Sequence, residues 1–266
     1  YPEQSDLALE RKLEEKYGLT EALIAVPAYE QSSDQEVAFQ AVDYILRVLK
    51  KNMVFGMTWG RAMHEFVEQL AKDERLRSLS FQNVKVVPFL GTPGAIQSDS
   101  WNTTTYSNTL ATKVGNLLHC ASYNLSAPMY VEGTKEKELI ESIDEIAKVL
   151  HMAETADIAL IGIGSMQDDS SIIKAEIRTK EEYKELVRKG AVGEIVGRIY
   201  DKNGQTVDED LKRKMVGISL DKIAKIPVRV GMSYGKDKIE AIKGAIAGGL
   251  VNVLVTDVPT AELLLK

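Results

Sequence analysis

Asp157-Ile158-Ala159-Leu160-Ile161-Gly162-Ile163-Gly164 decides the fold class. Ile158–Ile163 is a continuous apolar run with no polar face, the pattern of a strand buried on both sides of a parallel sheet. Outward from it, short β-rich runs alternate with longer segments of helical period. Upstream, Ala22–Val26, Val54–Met57 and Val84–Leu90 read as strands, and a further strand is expected around Pro128–Val131. Between them, Gln35–Lys50, Arg61–Ala71, Leu110–His119 and Glu138–Met152 read as helices. Downstream, Ile195–Tyr200 reads as a strand ending in the tight turn Asp201-Lys202-Asn203-Gly204. Val228–Met232 and Val251–Thr256 are strands, each followed by a helix, Lys236–Ala247 and Thr260–Leu265.

This βαβα order predicts an α/β protein of Rossmann-like form: a mostly parallel sheet with helices on both faces. With 266 residues, 44% of them hydrophobic, one large core is within reach of the chain. The formal charge of −6 argues against a surface that grips nucleic acid, so any DNA-reading element is expected elsewhere. Cys120 is the only cysteine, which excludes an intrachain disulfide and fits a reducing cytoplasm. No apolar run approaches the ~20 residues that span a bilayer. Because the chain opens at Tyr1, a longer parent protein is expected. Asp6–Tyr17 is strongly charged and stops at Gly18. It reads either as a solvated first helix packed on the domain or as a connector from an upstream domain.

In an open parallel sheet, ligands sit beyond the carboxyl ends of the strands. Four of those ends share small, hydroxyl-bearing residues: Thr58-Trp59-Gly60-Arg61-Ala62, Gly91-Thr92-Pro93-Gly94, Gly164-Ser165-Met166, and Ser233-Tyr234-Gly235 with Lys238 just beyond. Gly60 and Gly235 would let backbone approach a ligand, helix N-termini would offer unpaired N–H groups, and Arg61 and Lys238 would add full charges. That chemistry suits an anion such as a phosphate. Taken singly, each feature is also what an ordinary turn or a solvated lysine would show.

Glu194, inside the small apolar run Ala191–Gly197, stands apart, because an unpaired carboxylate there would be costly. It is either the structural partner of a buried arginine or amide, an acceptor for ligand hydroxyls, or, in an enzyme, a general base. His64, His119 and His151 fall in or at the ends of helices, away from the strand-end loops. No P-loop or GxGxxG turn is present, so no cofactor is expected. The adjacent Asp168 and Asp169 read as a solvated pair or a cation site, and no metal is assigned to them.

In their order and spacing, these stretches resemble the sugar-binding domain of SorC-type transcriptional regulators. The matching segments are Glu14–Leu19, Thr58-Trp59-Gly60, Val86–Gly91, Ala127-Pro128, Asp157–Gly164, Ala191–Ile195, Gly235-x-x-Lys238-x-x-Ala241-Ile242, Asn252–Asp257 and Thr260-Ala261. The resemblance implies a fold similar to sugar-phosphate isomerases, glucosamine-6-phosphate deaminases and CoA transferases. It implies residues 1–18 as a connector from an N-terminal helix-turn-helix, and 19–266 as the effector domain. It further implies a homo-oligomer, dimer or tetramer, whose grip on operator DNA changes when a sugar phosphate binds. Gly60, Arg61 and Ala62 would hold the phosphate with Lys238, Glu194 would accept sugar hydroxyls, and the loop from Gly91 and Thr92 to Thr104 would line the other side. Gly162, Gly164, Ser165 and Gly235 complete the expected set.

The chain departs from the family pattern at three points. Arg61 and Ala62 replace small hydroxyl residues, Tyr234 precedes Gly235 where a second glycine is common, and Leu90 stands where some members are basic. Arg61 would then supply the charge missing at 90, or else the effector is unphosphorylated. A sugar-phosphate isomerase or deaminase of the same fold, with Glu194 as base and Lys238 as anchor, is the alternative reading.

Overall fold

A computed structural model describes residues 6–26, 33–93 and 103–266. The strands are β1 (Glu21–Ala25), β2 (Val54–Met57), β3 (Lys85–Pro88), β4 (Ala121–Ser122), β5 (Ile158–Gly162), β6 (Gly164–Ser165), β7 (Ala191–Ile195), β8 (Arg198–Asp201), β9 (Val228–Met232) and β10 (Val253–Asp257). The helices are α1 (Leu7–Tyr17), α2 (Ser33–Val48), α3 (Arg61–Lys72), α4 (Ser107–Leu117), α5 (Thr134–Glu141), α6 (Asp144–Glu154), α7 (Ser171–Lys174), α8 (Lys180–Arg188), α9 (Glu209–Lys214), α10 (Leu220–Ile223), α11 (Ile239–Ala247) and α12 (Val258–Leu265).

Seven strands form one sheet in the order β1-β10-β9-β5-β2-β3-β4, and its pairings are parallel. Alternate side chains of each strand enter opposite cores. Leu23, Phe55, Met57, Ile158, Leu160, Val230 and Val253 pack under α2, α3 and α4. Ala22, Ile24, Ala159, Ile161 and Leu254 pack on the other face, with Ala241, Ile242, Ala261 and Leu264 of α11 and α12. Both faces are therefore dry, which is why Ile158–Ile163 shows no polar alternation. A small antiparallel sheet, β6-β7-β8, rises from the end of β5.

The edge strand β1 is closed by α1. Glu14 accepts a hydrogen bond from Ala22 N–H at 3.0 Å and Glu10 one from Ile24 N–H at 3.0 Å. These are backbone donors that an edge would otherwise leave open to another chain. Leu13 is fully buried beneath the same helix, so the charged segment is packed on the domain.

Three expected elements are corrected. The strand at Ile195–Tyr200 is a hairpin, with Ile195 opposite Arg198 and a two-residue turn at Val196 and Gly197. Both turn residues have positive φ, 55° and 69°. Valine is a poor residue for that conformation, so Val196 disguises the turn as strand. The helix at Glu138–Met152 is two helices, broken where Ile143 is extended (ψ 124°) ahead of Asp144. Its apolar period runs straight across the break. Pro128–Val131 forms only isolated bridges, Thr92 to Pro128 and Tyr130 to Met215, because Pro128 has no N–H to give a ladder.

Packing at the sheet centre is tight around Gly56. A Cβ there would lie 2.0 Å from the ring of Phe89, itself fully buried. Gly56→Ala is expected to cost about 2–3 kcal/mol through forced displacement of that ring. Thermal denaturation would report it as a clear fall in Tm, and an unchanged Tm would show that the ring has room to move.

Candidate functional site

The sheet order reverses between β5 and β2. From β2 the chain proceeds through β3 and β4 to one side, and from β5 through β9 and β10 to the other. In open α/β sheets ligands bind outside the strand carboxyl ends at such a switch point. Thr58, fully buried just past β2, ties the two strands there. Its N–H donates to Leu160 O at 3.1 Å, and its Oγ1 accepts from Gly162 N–H at 2.9 Å. Gly60 follows with φ 108° as the N-cap of α3 and brings no side chain of its own to cap it. A glycine at that position lets an anion approach the leading N–H groups of a helix. Arg61 is largely exposed and faces Asp169 at 3.6 Å, while Ala62 is the next residue of the same turn.

Next to β5, β9 delivers Ser233, Tyr234 and Gly235. Gly235 has φ 109° and donates its N–H to Thr260 Oγ1 at 2.8 Å. Lys238 follows, and its Nζ donates to Ser165 Oγ at 3.1 Å. Ser165 lies on β6, which pairs with β7 so that Gly164 stands opposite Glu194. The structure thus brings Gly162, Gly164, Ser165, Glu194, Gly235 and Lys238 to one place, beside the Gly60 end of α3.

Glu194 is 6% exposed. Burial is the main influence on it and pushes its pKa up to about 7, against lowering by Gly197 N–H, the Lys238 charge and the Trp59 side chain. Gly197 N–H donates to Oε1 across the hairpin turn. The strained Val196-Gly197 corner therefore has a use, since it aims a backbone donor at the carboxylate. Gly164 is required on the same account: a Cβ there would lie 2.8 Å from Oε2. Tyr200, whose hydroxyl donates to Ala241 O at 2.8 Å, braces the hairpin against α11.

Gly91 and Thr92 sit differently. Gly91 is closed in by the Ala127 and Pro128 carbonyls, each 2.6 Å from where a Cβ would be. Thr92 receives a hydrogen bond from Asn108 Nδ2 at 2.7 Å and donates its N–H to Ala127 O at 2.8 Å. Their contacts lock the segment that borders these strand ends. Thr104 lies next to Thr105, whose carbonyl accepts Gly60 N–H at 3.0 Å. Residues 94–102 of the same expected lining lie outside the described residues.

Sequence reasoning missed Thr58, Trp59 and Asp237 as site residues. Trp59 was visible as an aromatic beside Gly60, and its contact with Glu194 could have been suspected from the pairing of two segments at strand ends. Thr58 was visible too, as the hydroxyl residue that opens the same strand-end segment, whereas Asp237 has no such signal, because its partner Ser165 comes from an element distant in the chain.

Two concavities lie away from this chemistry. One, of about 530 Å³, opens at the amino ends of β2, β3 and β4, lined by Asn52, Asn83, Lys85, His119 and Cys120. Burial pushes the Cys120 thiol up to about 11, so it holds its proton and is a poor nucleophile. The other, of about 470 Å³, is an apolar groove along α6 at Ala147, His151 and Met152. Among the described residues no helix is long and apolar enough to cross a membrane, and no group of three acidic, histidine or cysteine side chains is placed to hold a metal.

Residues 1–266 match the family described as a sugar-binding domain. The chain is 30% identical over 270 residues to the sorbitol operon regulator of Klebsiella pneumoniae, covering 100% of this chain and 82% of that protein. It is 26% identical over 262 residues to the deoxyribonucleoside regulator of Bacillus subtilis, covering 97% and 80%. The crystal structure of the full-length sorbitol operon regulator SorC from Klebsiella pneumoniae superposes with a TM-score of 0.86 at 29% identity, covering 98% of this chain and 81% of that one. A DeoR family transcriptional regulator from Listeria monocytogenes gives a TM-score of 0.83 at 26% identity, covering 97% and 98%. With the fold and these likenesses in agreement, the chain belongs to the sugar-binding domain family of SorC-type transcriptional regulators.

Proposed function

We propose that the domain senses a phosphorylated sugar in the cytoplasm and passes the signal to operator DNA through an upstream helix-turn-helix, with residues 1–18 as the connector. The observation behind this reading is the pairing of opposite chemistries in one place. A buried carboxylate, Glu194, suits sugar hydroxyls, while Lys238 on Ser165, with the Gly60 end of α3 beside Arg61, suits a phosphate. Signalling requires that the ligand bind one arrangement of a homo-oligomer, dimer or tetramer, better than another. A coupling of about 1–3 kcal/mol changes operator affinity about 5–150-fold.

The test is a thermal-shift screen of sugars and sugar phosphates, including fructose-6-phosphate, fructose-1,6-bisphosphate, sorbose-1-phosphate and deoxyribose-5-phosphate. A ligand at a hundred times its Kd stabilises the folded state by about 2.7 kcal/mol. Response to one phosphate and not to its free sugar supports the reading. Response to free sugars alone removes the phosphate, and silence across a broad panel removes the sensor. A second reading, an isomerase or deaminase of the same fold, draws on a carboxylate with a pKa near neutrality, suited to a general base. Product formation from ribose-5-phosphate or glucosamine-6-phosphate would decide for it.

A further inference from the structure

The Lys238 ammonium is already answered from within the chain. Its Nζ donates to Ser165 Oγ at 3.1 Å, and that hydroxyl donates onward to Asp237 Oδ2 at 2.9 Å. The same Asp237 oxygen is 3.8 Å from the ammonium. The other, Oδ1, lies beside Gly235, 2.8 Å from where a Cβ would stand. Ser165 is 5% exposed, so packing fixes its hydroxyl between an ammonium and a carboxylate. The Asp237 carboxylate thus has the surroundings of a bound anion: a hydroxyl donor, a nearby cation, and backbone with no side chain alongside. Its own side chain is 44% exposed and can turn outward without disturbing the core.

We infer that Asp237 is a resident anion of this subsite, holding with its own carboxylate the place that a ligand's phosphate must take. This rests on the reading of Lys238 as the anion-binding cation. The consequence is a threshold. A ligand anion gains contact with Ser165 and Lys238 only by displacing Asp237, so those contacts are exchanged rather than added. A phosphate dianion, with more charge and three acceptor oxygens, wins that exchange. A monoanionic carboxylate is merely equal to the group it replaces, and a neutral sugar does not displace it. Asp237 thereby lowers the affinity of every anion at the subsite by a common factor, so that only anions held more strongly than its own carboxylate occupy it.

Isothermal titration with inorganic phosphate, and separately with acetate, tests this on the whole chain, on the single variants Asp237→Asn and Asp237→Ala, and on Asp237→Asn/Lys238→Ala against Lys238→Ala as its reference. Both single variants are expected to bind phosphate about tenfold more tightly, the worth of one partly exposed charged contact. Acetate should gain by about the same factor, so that the phosphate-to-acetate preference stays near its original value. The gain should vanish in the double variant. Unchanged or weaker phosphate binding in both single variants overturns the inference, while a separate loss of binding in Lys238→Ala would leave the anion subsite standing. A double variant that binds as tightly as Asp237→Asn overturns the inference and the Lys238 reading together, as does an absence of phosphate binding in every variant.

Discussion

Lys238→Ala is expected to weaken binding of the sugar phosphate found by screening about 10–150-fold, while the matching unphosphorylated sugar changes less than about threefold. The estimate follows from losing one charge-assisted hydrogen bond to phosphate, about 1.5–3 kcal/mol when neither group is fully solvated. Lys238 is well placed to deliver that amount, because its ammonium is held by the buried Ser165 hydroxyl rather than swinging freely. Less of the binding energy is then spent on ordering the side chain. The fold should tolerate the change. Lys238 precedes α11, its side chain lies outside both cores, and the ion pair it loses is a partly exposed one to Asp237, of a kind that contributes at most about 1 kcal/mol. Titration calorimetry of the phosphate and the free sugar against both proteins is the check. Full-strength binding of the phosphate by the variant would remove Lys238 from the site, and equal losses for both ligands would place its contact on the sugar rather than on the phosphate.

The layers and most strand positions were legible in the sequence because both depend on hydrophobic period, whereas the order of strands across the sheet was not. Ile158–Ile163, dry on both sides, and the flanking helical stripes report where side chains go, and a parallel α/β sheet turns that directly into architecture. What stayed hidden depends on backbone geometry or on contacts between distant segments. The β7–β8 hairpin escaped because Val196 occupies a positive-φ position that asparagine or glycine usually marks. The strand β4 is only Ala121–Ser122, too short to show alternation. The Thr179–Glu182 capping box opening α8 was available as a signal and was not read. At the site, Glu194 and Lys238 stood out by charge among small residues. Their joint placement through Ser165, Gly164 and Trp59 is a product of the β6–β7 pairing and the switch point, neither of which one segment encodes. Asp237 was a variable position within the Gly235-x-x-Lys238 motif, and only its contact with Ser165 distinguishes it.

Glu194→Gln is expected to separate stability from binding. Burial lifts the Glu194 pKa from 4.5 to about 7 in the folded protein. Between those values the folded state binds more protons than the unfolded chain, so stability falls as pH rises across that window. The stability associated with the protonated acid is fully present below about 4.5 and is lost by the time pH passes 7. A shift of this size corresponds to about 3 kcal/mol. Glutamine keeps an acceptor for Gly197 N–H and carries no charge. The variant should therefore melt on the order of 5 °C above the parent at pH 8, and the two should converge near pH 5. Binding should move the opposite way. Sugar hydroxyls donate more strongly to a carboxylate than to an amide, so the variant should lose about 10–100-fold in affinity at pH 8. The parent's affinity should rise with pH through about 7 more steeply than the variant's. Ionisation of the ligand phosphate, with a pKa near 6, contributes equally to both and cancels in the comparison. Groups facing the carboxylate do not obscure the result, since the Tyr183 and Tyr200 hydroxyls are held protonated by burial far above this range. Paired melting and titration curves from pH 5 to 8 decide it. A variant that is destabilised at every pH would make Glu194 a structural partner of the hairpin turn. A variant more stable at pH 8 yet unchanged in affinity would place the sugar's contacts elsewhere among the strand ends.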